Sequence, residues 1–391
     1  MKKHIDDETY RLNLYDHPVL EFKFLTQGFE RGNVEILNVY EKNMLPYGLN
    51  ADNDELKSWL TYRSVPKNRE FIREFLKSMG LDERDVKGII DVSKGLSLND
   101  AYWICKNSEQ LKFDDINLYD NDFSEALSLV AFTGHDTKIA QLMSSPEFTT
   151  TGMLAKCWRR INGETYLYKG GTLGYANAGN EPYSEYYASQ IVQKLDYSHV
   201  DYQLEKWKGI LASTCKIFTS KDISYVPAGY IVSKGGLAAV DKYIKNLNDP
   251  IIYRDFKRMI LFDAIIYNKD RHFGNFGFMV NSIDKKVIGF NPIFDNGAGL
   301  FAYALEDEAT DINKLSKYAK QNSYSYHGIS FDDLVKTACT REMATDLHKL
   351  INFKFKRHPL YNLSEKRLQT IEQFINERVI ELSRIVEKCP S

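Results

Sequence analysis

The chain has almost no net charge: 51 Lys and Arg stand against 53 Asp and Glu over 391 residues, leaving −2. No global positive field exists to hold a nucleic-acid backbone, so direct nucleic-acid binding is not expected. Cysteine is sparse. Cys105, Cys157, Cys215, Cys339 and Cys389 stand singly, without a C-x-x-C pair or a His at ligand spacing. That excludes a zinc framework and a disulfide scaffold, and dispersed free thiols suit a reducing compartment. The first ten residues lack the apolar stretch of a secretion signal. No apolar run reaches bilayer length, and the best, 259–267, is short and interrupted by Asp263. A cytoplasmic location without membrane contact is expected. Internal repeats, low-complexity tracts and long Gly/Ser linkers are also missing, so domain boundaries must come from changes of pattern.

What is present divides into three. The length exceeds what one hydrophobic core usually serves, and the 25 Tyr and 22 Phe fit the packing of several cores. Residues 1–140 mix short apolar runs with helical stretches, such as 68–79 with Phe71, Phe75 and Leu76 on one face. This reads as an accessory N-terminal α/β domain. Residues 141–235 turn strand-like: 154–160 and 164–169 flank Asn162-Gly163, a dipeptide that favours a type I′ hairpin turn. A helix from about Pro182 to Leu195 follows, then strand candidates at 200–207 and 210–218. Residues 236–391 are largely helical, interrupted by a hairpin-like stretch at 276–290. The last helix, 364–386, repeats Leu368, Ile371, Ile375, Val379, Leu382 and Val386 at three- and four-residue spacing, with Ser364 as N-cap.

The strongest chemical signal is Asn268-Lys269-Asp270-Arg271-His272-Phe273-Gly274-Asn275, followed by Phe294-Asp295-Asn296-Gly297. Phosphoryl transfer from ATP needs hard oxygen ligands for Mg²⁺ and a carboxylate near the attacking hydroxyl. An Asp and an Asn five positions apart on one loop supply both: Asp270 faces the hydroxyl and Asn275 holds metal. A hairpin between the two motifs would return the chain so that Asp295 reaches the same metal. Turn chemistry, with these side chains bonding nearby backbone, is the plain alternative.

The D-x-x-x-x-N spacing equals that of the protein-kinase catalytic loop, and Asp295-Asn296-Gly297 stands where kinases carry D-F-G. The D-R-H-x-x-N form resembles the HipA-like serine/threonine kinases and the phosphoinositide kinases. The stretch Asn180-Glu181-Pro182-Tyr183-Ser184-Glu185-Tyr186-Tyr187 is similar to the helix after the ATP-binding strand in HipA-like proteins. The resemblance covers roughly 145–391. It implies an α+β, bilobal protein-kinase-like fold, with a strand-rich small lobe, a helical large lobe and the N-terminal domain added.

The resemblance also implies roles. Lys169, ending its strand, would reach the nucleotide phosphates. Glu185, on a helix face with Ala188, Val192 and Leu195, is preferred as its partner, with Glu181 the alternative placed before the helix. The loop 144–152 would cover the phosphates through Thr151 and Gly152, although it lacks G-x-G-x-x-G. Ser145, Thr149, Thr150 and Thr151 are candidates for self-phosphorylation, as in some HipA-like kinases, or else belong to a plain surface loop. Ile217, Phe218 and Thr219 would form the adenine hinge. His272 would stabilise charge or pack within its loop, and packing is favoured. Lys269 and Arg271 would supply positive charge or face solvent. The expected activity is ATP- and Mg²⁺-dependent phosphorylation of a protein Ser or Thr hydroxyl, with an antitoxin-type regulatory protein as a further partner. A small-molecule or lipid kinase and a catalytically silent kinase-fold binding module are the other readings.

Overall fold

The computed structural model describes residues 8–25, 33–64, 69–135, 143–232 and 234–390. Two compact units are built from interleaved segments: Met1–Tyr168, Thr219–Val226 and Met279–Ile288 form the first, and Lys169–Phe218, Pro227–Phe278 and Gly289–Ser391 the second.

The first unit opens on an antiparallel sheet of β1 (Thr9–Leu14), β2 (His17–Leu25), β3 (Asn33–Val39) and β4 (Tyr102–Lys106), in the order β3-β2-β1-β4. Period-two alternation places Tyr10, Leu12 and Leu14 of β1 in the core, where Tyr10 pairs with Phe22 and Leu12 with Leu20. Helices Asn53–Tyr62, Val86–Ser93 and Glu125–Thr133 begin at Asp52, Asp85 and Ser124, whose side chains accept N–H groups of the first turn. The helix expected over 68–79 is shorter, Ile72–Ser78, because Phe71 takes a left-handed conformation just before it; Asn68 lies outside the described residues. Phe75, Leu76, Leu127, Val130 and Phe148 share one core cluster. The hairpin Lys156–Ile161/Glu164–Lys169 turns at Asn162 and Gly163, with φ of 52° and 81°, the two positive values a type I′ turn requires.

The segments Thr219–Val226 and Met279–Ile288 join this unit through side chains as well as backbone. Ser224 and Ser282 hydroxyls are 2.7 Å apart, and the Tyr47 hydroxyl donates to the Lys285 carbonyl at 2.6 Å. Strands Gly277–Asn281 and Val287–Phe290 are the hairpin expected at 276–290.

The second unit holds helix Glu181–Leu195 and an antiparallel strand pair, Gln203–Trp207 with Ile210–Lys216, turned through Lys208 and Gly209. Its central helix, Pro250–Ile266, has Pro at its first position, Asp249 as cap, and burial of every residue from Met259 to Ile266. The C-terminal helix, Glu365–Val386, buries the six-residue apolar face read from its spacing, and Ser364 accepts the Arg367 N–H. Antiparallel sheets with many helices make the fold α+β. Among the described residues no helix is long and apolar enough to cross a membrane. All five cysteines are free and buried, and burial pushes the Cys215 and Cys339 thiols up to about 12, which keeps them protonated and unreactive.

Candidate active site

Lys169 ends its strand with a buried side chain. Its Nζ lies 2.5 Å from Glu185 Oε1 and 2.5 Å from Asp295 Oδ1. Burial works against its charge, but the carboxylates of Asp295 and Glu185 outweigh it and hold the lysine well above its ordinary pKa. Glu185 is one turn into helix Glu181–Leu195, on the buried side with Ala188 and Val192. Its second oxygen accepts the Asn296 N–H at 2.7 Å, so one carboxylate positions both the lysine and the segment that carries Asp295. Glu181, expected before the helix, is its first residue; it is buried, and its Oε2 accepts the Thr172 N–H at 3.2 Å.

Asp295 has φ of 57°, which turns the chain sharply at the residue whose carboxylate meets Lys169. Its N–H donates to the Tyr202 hydroxyl oxygen at 3.2 Å. The Ser184 hydroxyl is within reach of the Asn296 and Gly299 carbonyls, at 2.7 and 2.9 Å. A Cβ on Gly297 would stand 3.4 Å from Glu181 Cβ, so this segment lies in van der Waals contact with the start of the helix.

The loop 268–275 leaves the central helix where Tyr267 turns left-handed. Asn268 Oδ1 accepts the Asp270 N–H at 3.2 Å, and Asn268 Nδ2 donates to the Asp295 carbonyl at 3.4 Å. Arg271 is buried and not solvent-facing. Its guanidinium donates to Asp263 at 2.9 Å, to Asn296 Oδ1 at 2.7 Å, to the Asn275 carbonyl at 3.1 Å and to the Phe294 carbonyl. Lys269 is exposed and donates to Asn322 Oδ1 at 2.6 Å. Asp270 reaches solvent. Desolvation around it and the nearby Asp295 charge still raise its pKa, against His272, Lys169 and Arg271. Asn275 Nδ2 donates to the Asp270 carbonyl at 3.0 Å, which ties both ends of the loop and leaves the amide oxygen as the donor available to a cation. His272 Nδ1 accepts the Gly274 N–H at 2.9 Å within the loop.

Among the described residues no group of three or more His, Cys, Asp or Glu is placed to hold a metal ion. The candidate set is one carboxylate, Asp295, and one amide oxygen, Asn275. Hard oxygens of this kind suit Mg²⁺, which binds one or two protein groups and completes its shell with water and phosphate oxygens. The Asp295 charge that raises the Asp270 pKa marks a concentration of negative charge that a cation would relieve.

The second unit therefore joins Lys169, Glu185 and Asp295 directly, and Asp270 to Asn275 through backbone and amide. Ile217 and Phe218 follow the strand Ile210–Lys216, and the Phe218 ring packs on Phe294 at 5.3 Å. Thr151, Gly152 and Thr219 belong to the first unit. There the Thr151 carbonyl accepts from Lys156 Nζ at 2.6 Å, Gly152 has φ of 99°, and Thr219 Oγ1 donates to the Leu98 carbonyl. The loop 144–152 is built, not loose: Ser145, Glu147 and Phe148 are buried around a 3₁₀ turn, and Thr150 Oγ1 donates to the Pro146 carbonyl at 2.7 Å. The sequence reading gave no role in the site to Asp263, Asn268, Tyr202 or Ser184. Asp263 did leave a signal, as a lone charge inside an apolar helical run.

The fold defines a class, that of HipA. The structure of HipA, solved with HipB and operator DNA as a toxin–antitoxin system of Shewanella oneidensis MR-1, covers 98% of this chain and 100% of its own, with a TM-score of 0.52 and 9% identity. In sequence the chain is similar to the serine/threonine-protein kinase CtkA of Helicobacter pylori, 29% identical in a match 163 residues long that covers 38% of this chain and 49% of that protein. The chain thus spans about half the length of that curated relative. The crystal structure of CtkA aligns with 59% of this chain and 92% of its own, at 22% identity and a TM-score of 0.47. No family model matches the chain.

Proposed function

We propose that the protein is an ATP- and Mg²⁺-dependent kinase that transfers the γ-phosphoryl group to a serine or threonine hydroxyl of a protein. The observation that carries this reading is Lys169 Nζ held 2.5 Å from both Glu185 and Asp295. A buried, doubly paired lysine beside a metal-type carboxylate is the arrangement that orients nucleotide phosphates. The sequence relationship to CtkA, a serine/threonine-protein kinase, supports the same conclusion.

In this reading Lys169 binds phosphate oxygens, Glu185 fixes the lysine, and Asn275 with Asp295 hold magnesium. Bound magnesium supplies charge neutralisation on the transferring phosphate. Asp270 accepts a hydrogen bond from the acceptor hydroxyl and takes its proton as the oxygen attacks. Arg271 and Asn268 hold the loop in place, so catalysis rests on positioning and electrostatics. Ile217 and Phe218 would line the adenine.

Self-phosphorylation belongs to the same proposal. Ser145 and Thr149 are buried and Thr150 is half-buried with its hydroxyl engaged, whereas Thr151 is exposed; Thr151 is the acceptor of choice. An antitoxin-type partner is proposed by analogy with HipA, and a cytoplasmic location accords with the buried free thiols. Incubation with γ-labelled ATP and Mg²⁺ tests the reading: wild type labels itself or an added protein, and Asp270→Ala does not. Equal labelling by both proteins, or none by wild type, would sink it.

A further inference from the structure

The turn after helix Ile312–Gln321 is bonded to the loop that carries Asp270. Lys269, one residue before Asp270, donates to Asn322 Oδ1 at 2.6 Å. His272, two residues after it, packs its ring edge-on against Tyr326 with centroids 5.6 Å apart. The next pair repeats the contact, with Phe273 and His327 rings at 4.7 Å.

The turn is also internally fixed. Tyr324 and Ser330 form an isolated antiparallel bridge, the Ser325 N–H donates to the Ile329 carbonyl at 2.9 Å, and the Gly328 N–H returns to the Ser325 carbonyl at 3.0 Å. Gly328 takes φ of 71°, the conformation that lets the turn close. On this frame Tyr324, Tyr326 and Ile329 remain 58%, 56% and 40% exposed. Single exposed apolar residues need no explanation, but three within six residues of one hydrogen-bonded turn leave apolar side chains concentrated where a partner can meet them. Tyrosines held in place supply contact area at small entropic loss, the property of interface anchors.

We propose that this turn is the platform for the protein acceptor, receiving a bulky apolar side chain that flanks the phosphorylated Ser or Thr. The assignment rests on the kinase reading above. Tyr326 packs on His272, which stands two residues after Asp270 in the same loop. An extended acceptor advances roughly 3.3–3.6 Å per residue, so the apolar flank falls within about four residues of the hydroxyl. Tyr326 provides the central contact, and Tyr324 and Ile329 its margins.

The test uses the full chain, ATP, Mg²⁺ and a Ser-centred peptide library degenerate at the flanking positions. Wild type is expected to favour Phe, Tyr, Leu or Ile at one flank by about fivefold or more, the effect of one aromatic anchor. Tyr326→Ala, and separately the double variant Tyr324→Ala with Ile329→Ala, lose that preference. Leu360→Ala, which removes an apolar side chain 76% exposed elsewhere in the same unit, keeps it. Thermal unfolding confirms that each variant is folded. Peptides labelled without flank preference, an unchanged preference in Tyr326→Ala, or label confined to the chain itself would each overturn the platform and leave the kinase reading standing. No label anywhere from wild type, as from Asp270→Ala, removes both.

Discussion

Arg271 and Asp263 meet 2.9 Å apart in the interior of the second unit, each with a side chain less than a tenth exposed. The arginine also binds Asn296 and two carbonyls, so the helix, the 268–275 loop and the Asp295 segment share one guanidinium. Removing it leaves the Asp263 charge buried without its ion-pair partner, with the Asn268 amide at 3.3 Å still donating to it. Arg271→Ala should therefore cost about 3–5 kcal/mol of folding stability, read by denaturant unfolding. Arg271→Lys should recover little of it, because one ammonium cannot reproduce a planar fork with five donors. A stable Arg271→Ala protein would show that the network is not what fixes the loop.

Lys169 presents a different balance. Lys169→Met keeps the length of the side chain but leaves Glu185 and Asp295 facing each other without the charge between them. Phosphoryl transfer should fall by about 10²–10³-fold, the loss typical of one electrostatic contact to developing charge, with nucleotide affinity falling too. Glu185→Gln keeps an acceptor for the Asn296 N–H and should cost less. Steady-state kinetics against ATP, with fluorescent-nucleotide titration, separate the two effects.

Much of this was legible in the sequence, for local reasons. The Asn162-Gly163 turn, the C-terminal helix and the 276–290 hairpin follow from backbone preferences and periodicity alone. The D-x-x-x-x-N and D-N-G motifs pointed to one chemistry, and Glu185 was readable as inward-facing from helical spacing. Burial of Arg271 was not legible, since a charged residue in a polar loop gives no local sign that an acid eight residues upstream awaits it. The interleaving of the two units was equally hidden. It depends on pairings such as Ser224 with Ser282 and Tyr47 with Lys285, which lie far apart in the chain. In the Ser/Thr-rich stretch 144–152 composition did not show that polar residues serve as caps and internal bonds around buried Phe148.

The same stretch yields a prediction for the first unit. Arg69 donates to Glu147 Oε2 at 2.7 Å and to the Glu147 and Lys156 carbonyls, and Glu147 Oε1 accepts the Trp158 N–H at 2.7 Å. The Arg69 and Glu147 side chains are 2% and 0% exposed, so the pair is desolvated, with both Glu147 carboxylate oxygens accepting a hydrogen bond. Arg69→Ala should destabilise the protein by about 3–5 kcal/mol and open residues 144–152 to proteolysis. Glu147→Gln, which preserves an acceptor for the Trp158 N–H, should do less. Matching cleavage rates for wild type and Arg69→Ala would mean that the pair does not secure the loop.

His327 carries the pH dependence of the turn beside the candidate active site. Burial lowers its pKa below the ordinary value of 6.5 and the facing His272 adds to this, against the Arg271 backbone and the Asp263 carboxylate. Among the described residues its Nε2 is buried without a hydrogen-bond partner, and its ring lies on Phe273, so the neutral form fits the site better. A histidine with a depressed folded pKa contributes stability that is complete above its unfolded value. That stability is lost as pH falls from there through the folded value. Wild type should therefore lose more of its Tm than His327→Phe does between about pH 7.5 and about pH 5.5, since phenylalanine keeps the ring contact and cannot take a proton. Parallel declines for the two proteins would show that His327 does not titrate with unfolding, and that other groups set the acid sensitivity of the unit.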